Sequence, residues 1–199
     1  LVTFYRSLFT LEVVKLQPNL AKQQMLQNRI KQAIRNVPDF PKPGIMFKDI
    51  TPILMDYQLS VDVAEHMVAE MHDWNIDAVV GVESRGFLFG MMVATGLRVP
   101  FIPVRKAGKL PYKTVSHAYE LEYGQAEVEM HVDAVTPGMN VLVHDDLLAT
   151  GGTAGAAAEL IQKQGGKVAG FSFLVGLSFL NGTEPLKKYS EQLLTLVEY

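Results

Sequence analysis

Residues 141–154, VLVHDDLLATGGTA, constrain what this chain can fold into more than any other stretch. Val141–Val143 is a short apolar run that reads as a buried strand. Two adjacent carboxylates, Asp145 and Asp146, stand where that strand should end. A turn of small residues follows, Ala149-Thr150-Gly151-Gly152-Thr153, and then Ala154, Ala157, Ala158 and Ile161 at helical spacing. Gly151 and Gly152 let backbone N–H groups approach an anion without side-chain obstruction. The free N–H groups and the positive dipole end of the following helix favour a phosphate there. Asp145 and Asp146 accept hydrogen bonds only, which suits the vicinal hydroxyls of a ribose. The unit reads as a holder for a ribose phosphate rather than for a triphosphate tail.

The rest of the chain supplies the sheet that such a unit needs. Its 199 residues fit one domain, and 48% hydrophobic with 20% charged residues is the balance of a folded protein. A net charge of −3 gives no reason to expect nucleic acid or an anionic membrane as partner. With no cysteine, disulfides and thiolate chemistry are excluded and a reducing, cytoplasmic setting is the expectation. Residues 1–24 lack the pattern of a signal peptide and read as an N-terminal extension, with one domain over 25–199. Leu8, Phe9, Leu11, Val13 and Val14 in that extension need a place to be buried.

Leu26, Ile30, Ala33, Ile34 and Val37 recur at helical spacing, so a helix ending at Pro38 is expected. Asp39–Thr51 carries two prolines and a glycine and reads as irregular. A second helix is expected from an N-cap at Ser60, with Val61, Ala64, Met67, Val68 and Met71 on one face. Ile76–Val82 reads as a strand, Phe87–Gly96 as a helix and Val99–Val104 as a strand. Residues 105–119 read as a long basic loop. Glu120–Val132 alternates like a hairpin arm, with Val128, Met130 and Val132 inward. Val168–Leu177 and Leu193–Val197 read as strands. Strands alternating with helices imply an α/β fold: a mostly parallel twisted sheet with helices on both faces and ligands at the strand C-terminal ends.

Competing signatures are missing. No Walker loop or dinucleotide fingerprint is present, and Gly108-Lys109 is followed by Leu110. Histidines 66, 72, 117, 131 and 144 show no metal-binding spacing, so no metal is expected to be held by the protein alone. His144, between Val143 and Asp145, reads as a strand residue tied up by a neighbour. Asn181-Gly182-Thr183 matches an N-glycosylation site formally and reads as chance.

Five segments together resemble a known family: FPKPGIMFKDI (40–50), GVESRGFLFG (81–90), VRKAGKLP (104–111), LEYGQAE (121–127) and the 141–154 run. They are similar to the adenine-specific branch of the type I phosphoribosyltransferases, from about Met25 onward. The resemblance implies purine salvage: adenine and phosphoribosyl pyrophosphate (PRPP) give AMP and pyrophosphate through an oxocarbenium-like transition state. It also implies a small N-terminal hood, a mobile active-site loop, a homodimer, and Mg²⁺ arriving on the pyrophosphate. By resemblance, Ala149, Thr150, Gly151, Gly152 and Thr153 grip the 5-phosphate, and Asp145 and Asp146 the ribose hydroxyls. Glu83, Ser84, Arg85, Arg105, Lys106 and Lys109 are the pyrophosphate candidates, with a cis peptide at Glu83–Ser84. The backbone of Ile45, Met46, Phe47 and Lys48 is the candidate adenine edge, with Phe47 and Leu147 sandwiching the ring. Glu122 and Tyr123 are the catalytic candidates. Lys48 and His144 stand where arginine and an apolar residue are the more familiar choices in this branch. Two alternatives stay open: transfer to another base, or a non-catalytic PRPP sensor.

Overall fold

The structure, a computed structural model, describes residues 20–121 and 124–199. A seven-stranded sheet forms its centre. Its elements in chain order are α1 (Leu20–Ala33), β1 (Arg35–Pro38), β2 (Met46–Asp49), α2 (Thr51–Met55), α3 (Tyr57–Glu70), β3 (Ala78–Val82), α4 (Gly86–Leu97) and β4 (Phe101–Lys106). They continue with β5 (Thr114–Leu121), β6 (Gly124–His131), β7 (Asn140–Leu148), α5 (Gly152–Lys163), β8 (Lys167–Gly176) and β9 (Leu193–Glu198). Strand order is β5-β6-β4-β3-β7-β8-β9, parallel from β4 through β9 and antiparallel along β4-β6-β5. The β5-β6 arm closes one edge; β1 and β2 form a separate antiparallel pair.

Strand β3 is apolar throughout, and β7 is apolar over Val141–Val143, because both faces of the sheet are covered there. Every residue of β3, AVVGV, is buried. On one face α5 packs Ala154, Ala157, Ala158, Leu160 and Ile161 against Val80, Val143 and Phe171. On the other, Phe89 and Val93 of α4 and Val63 and Met67 of α3 meet Val79 and Leu142, with Leu26 and Ile30 of α1 outside them. Among the described residues, no helix is long and apolar enough to cross a membrane.

Several expected boundaries move. The first helix stops at Ala33, and Val37 belongs to β1, paired with Phe47. A residue before proline is pushed toward extended backbone, so the helical spacing at Val37 was coincidental. The irregular 39–51 segment contains β2, and Thr51 starts α2. The N-cap of α3 is Asp56, whose carboxylate accepts from the Leu59 amide at 2.9 Å; Ser60 is buried and donates to the Ile53 carbonyl at 2.8 Å. The basic loop is shorter than expected, since Arg105 and Lys106 finish β4 and Thr114–Leu121 is β5. The half-buried positions there, Val115, His117 and Tyr119, alternate with exposed ones but are not uniformly apolar, which hid the period. Val132 lies beyond β6 and is exposed. β7 does not end at the acid pair but runs on to Leu148, which pairs with Gly176. The 1–19 side chains expected to be buried, including Leu8 and Val14, lie outside the described residues.

Candidate active site

The acids of β7 sit at the carboxyl end of the sheet, beside the start of α4. A Cβ on Gly86 would lie 2.9 Å from both Asp145 Oδ1 and the His144 carbonyl, so only glycine permits this approach. The neighbouring Glu83–Ser84 peptide is cis. Arg85 reaches Asp146, Nε to Oδ2, at 3.1 Å, and its guanidinium stacks over the Phe47 ring at 4.8 Å. Arg85 therefore links the acid pair to the β1-β2 hairpin, and its Nη1 is buried without a hydrogen-bond partner. Burial, then the adjacent Asp146 charge, push the Asp145 carboxyl well above the usual range. Burial also raises Asp146, while Arg85 draws it back. Beneath them, fully buried His144 shares a 2.9 Å Nδ1–Oγ hydrogen bond with Ser172, and burial lowers its pKa to about 4. That matches the expected role of a tied-up strand residue.

Ala149–Thr153 form the turn into α5. Gly151 is the N-cap at φ +81°, with no side-chain cap, and its carbonyl accepts the first helical bond from Gly155 at 2.8 Å. The amides ahead of Gly155 have no intrahelical partner and face the site of positive helix potential. Tyr119 from β5 approaches over the turn, its hydroxyl 3.2 Å from Thr153 Oγ1. Gly182 is a residue of the candidate site that the sequence did not single out. A Cβ there would lie 2.1 Å from the Ala149 carbonyl oxygen, and one on Gly151 would lie 2.4 Å from the Gly182 carbonyl oxygen. The 181–183 turn thus braces the loop from behind. Its Asn-Gly pair was the available signal, a turn rather than a glycosylation match.

The cationic candidates gather around one carboxylate. Glu83 accepts from Arg105 Nε and from the Lys106 amide, each at 3.1 Å, and is ion-paired with Lys109. Burial works against that carboxylate, yet the Lys109 and Arg105 side chains and the Lys106 amide hold its pKa below the ordinary value. Arg105 Nη1 also donates to the Lys109 carbonyl at 3.0 Å. Ser84 and the Lys106 side chain are exposed. Glu129 is a second missed residue. Buried between Val128 and Met130, it accepts from the Lys109 and Leu110 amides at 2.9 and 2.8 Å and so fixes the turn that carries the lysines. A charged residue flanked by two core positions needs such partners, and that was the sequence signal.

On the hairpin, Ile45 and Met46 are exposed, and Phe47 packs edge-to-face on Phe40 with centroids 5.1 Å apart. Lys48 donates to Asn36 Oδ1 at 2.8 Å, and its ammonium lies 3.7 Å from the Tyr199 ring centroid. Leu147, next to Asp146, is half-buried against the α3-α4 face of the core. The structure thus brings Arg85, Phe47, Asp145, Asp146 and the 149–153 turn together, with Glu83, Arg105 and Lys109 clustered through the β4 end. Glu122 and Tyr123 lie outside the described residues.

A family model for the phosphoribosyl transferase domain matches residues 53–195. An adenine phosphoribosyltransferase from Cytophaga hutchinsonii is 47% identical over 177 residues, 89% of this chain and 98% of that protein. The crystal structure of adenine phosphoribosyltransferase from Thermoanaerobacter pseudethanolicus superposes with a TM-score of 0.84 at 46% identity, covering 87% of this chain and 99% of that one. The Saccharomyces cerevisiae enzyme, solved with an imino-altritol bisphosphate and adenine, has a TM-score of 0.81 at 38% identity, covering 87% and 99%.

Proposed function

The chain belongs to the phosphoribosyltransferase family as an adenine phosphoribosyltransferase, and we propose that the residues gathered around Asp145 and Asp146 carry out its reaction. The enzyme is a pentosyltransferase of purine salvage that makes AMP and pyrophosphate from adenine and PRPP. The observation that carries the assignment of residues is the turn 149–153, braced by Gly182 and opening its helix amides beside buried Asp146 and half-buried Asp145.

In this reading the helix amides and Thr150 and Thr153 hold the 5-phosphate, and Asp145 and Asp146 accept from the ribose hydroxyls. The neutral ribose hydroxyls donate to carboxylate oxygens that hold few partners within the chain: Asp145 Oδ1 accepts the Asp146 amide at 2.8 Å, and Asp146 Oδ2 is ion-paired with Arg85 at 3.1 Å. Arg85, Arg105, Lys106 and Lys109 draw off the negative charge that develops on the departing pyrophosphate. The carboxylate oxygens of Asp145 and Asp146 are of the hard donor type that suits a hydrated Mg²⁺ carried by the substrate, and Asp146 Oδ2, ion-paired with Arg85 at 3.1 Å, would share that arginine with the ion's waters. When bound, that ion neutralises charge on the pyrophosphate oxygens. The 45–48 backbone reads the adenine edge, with Phe47 and Leu147 on its two faces. Glu122 manages the proton of the base, and Tyr123 excludes water from the cationic sugar centre.

The chain works as a homodimer in this proposal. Leu88 and Met91, one turn apart on α4, together with Met55 and Tyr57, leave apolar surface exposed that a second copy can cover. The active domain is 25–199, although α1 begins earlier, at Leu20. Because PRPP is a polyanion that does not cross a bilayer unaided, the proposed setting is the cytoplasm. Incubating the protein with PRPP and Mg²⁺ against adenine, hypoxanthine, guanine, uracil and orotate tests the whole assignment. Adenine should be converted far better than the others, because a site that hydrogen-bonds an amino group leaves buried groups unpaired against a carbonyl. Comparable conversion of hypoxanthine would refute it.

A further inference from the structure

The β1-β2 hairpin is not hydrogen-bonded into the seven-stranded sheet. Its position relative to the phosphate turn therefore depends on side chains, and two cations of the same kind of contact stand out. One is Arg85 over Phe47, which ties the hairpin to Asp146. The other is Lys48, whose ammonium sits 3.7 Å from the centroid of the Tyr199 ring while donating to Asn36 on the opposite strand. The same ring takes a second ammonium, Lys31 at the end of α1, at 5.6 Å. The backbone of Tyr199 is fixed in turn: its N–H donates to the Gly176 carbonyl at 3.0 Å, and its carbonyl accepts from the Ser178 N–H at 3.0 Å. Gly176 is the β8 residue paired with Leu148, the last residue of β7 before the phosphate turn.

A continuous physical path thus runs from β2 through Lys48 and Tyr199 to Gly176, Leu148 and Ala149. We propose that Tyr199 is a positioning residue for the base: its ring, approached by the ammonium groups of Lys48 and Lys31, sets the distance between the hairpin edge at 45–48 and the sugar-phosphate turn. The inference rests on the reading of 45–48 as the adenine edge. It also accounts for Lys48 where arginine is the more familiar residue. The amine is committed to Asn36 and the Tyr199 face, so the hairpin presents its backbone to the base, and the lysine acts as an anchor. A compact ammonium over an aromatic face is worth enough to matter for a hairpin with few other ties.

Three variants of the full chain test this: Tyr199→Leu, Tyr199→Phe and Lys48→Met. Each is measured for adenine KM at saturating PRPP, PRPP KM at saturating adenine, and Tm. Tyr199→Leu and Lys48→Met should raise adenine KM by about three- to tenfold and leave PRPP KM within about twofold, the range expected of one cation–aromatic contact. Tyr199→Phe keeps the ring and should behave like the wild type. Unchanged adenine KM in Tyr199→Leu overturns the proposal. A parallel rise in both KM values with a lowered Tm overturns it too, since that marks a merely structural residue. If Tyr199→Leu does not fold, Lys48→Met decides by the same criteria. Hydrogen exchange of the wild type with and without AMP separates the underlying reading. No AMP protection of the 46–48 amides means the base edge lies elsewhere, whereas protection with an unaltered adenine KM in the variants means that Tyr199 alone is misassigned.

Discussion

Replacing Gly182 with alanine tests whether the 149–153 turn is held in place from behind. The added Cβ would lie 2.1 Å from the Ala149 carbonyl oxygen, 2.9 Å from its carbon and 3.1 Å from the Gly151 nitrogen. All three are backbone atoms of the proposed phosphate turn, so no side chain can swing aside. Restoring ordinary contact at about 3.4 Å needs a relative shift of about 1.3 Å between the two segments. The 181–183 turn cannot absorb it easily, because Gly151 already brings the two segments into contact from the other side, and Leu186 is packed in the core behind. The phosphate turn should therefore move. A misplacement of about 1 Å at a positioning group costs on the order of 100-fold in rate, so kcat/KM for PRPP should fall by about that factor. The fold should survive, since Gly182 lies outside the strands and the helices that make up the core. Steady-state kinetics with PRPP varied, ribose 5-phosphate titration by calorimetry and thermal melting make the comparison. Wild-type PRPP kinetics in a folded Gly182→Ala protein would refute the bracing argument, and a large loss of Tm would recast Gly182 as a core position.

Glu122→Leu should lower kcat by roughly two to four orders of magnitude, the range for a lost acid–base group, with PRPP affinity hardly changed; a near-normal kcat removes Glu122 from the chemistry. Asp145→Asn should weaken PRPP binding in calorimetry yet melt no lower than the wild type at pH 8, and even higher. The reasoning is that a carboxyl raised in the folded state supports the fold fully only below its unfolded pKa, and that support is lost as pH rises through the folded value; a lowered Tm would refute it. His144 has the opposite linkage. Its pKa falls from 6.5 to about 4 on folding, so the unfolded chain binds the proton first and stability drops as pH falls through that window. His144→Gln should flatten the dependence of Tm on pH between 6.5 and 4, and an unaltered slope would assign the loss to other groups.

What was legible in the sequence follows period and chemistry. The buried strands at Ala78–Val82 and Lys167–Gly176 and the helices Gly86–Leu97 and Gly152–Lys163 were read within a few residues, because each is an apolar run or has a clean 3.6-residue spacing bounded by glycine. β5 escaped because its half-buried positions include His117, and a histidine beside Val115 and Tyr119 does not look like one face of a strand. α3 was started four residues late, since Ser and Asp rank about equally as N-caps and the sequence alone does not choose between Ser60 and Asp56; the bond from Leu59 to Asp56 decides it. The 149–153 turn was legible as a glycine turn into a helix, while its brace at Gly182 was not. That contact joins residues about thirty positions apart, and a glycine needed for such an approach looks in sequence like any turn glycine.

The charges at the site are paired with one another, and on the proposed reading that pairing prepares the site for a highly anionic substrate. The cations are partnered within the chain: Arg105 and Lys109 with Glu83, Arg85 with Asp146. They are thereby held at fixed positions, so binding costs little side-chain entropy. The acids are in the converse state, pushed toward protonation by burial, with only Arg85 drawing Asp146 back. On the proposed reading a pyrophosphate would exchange partners with these cations instead of recruiting them from solvent, and a ribose would bring further donors to the carboxylates. Arg85 sits where both exchanges meet, since it also stacks on Phe47 of the hairpin. Movement of its guanidinium from Asp146 toward a pyrophosphate oxygen would alter the seat of Phe47 at the same moment. By this argument the sugar-phosphate and base halves are coupled through a single side chain, and an arginine does this where a lysine would not, because only a planar guanidinium can stack and donate along two directions at once.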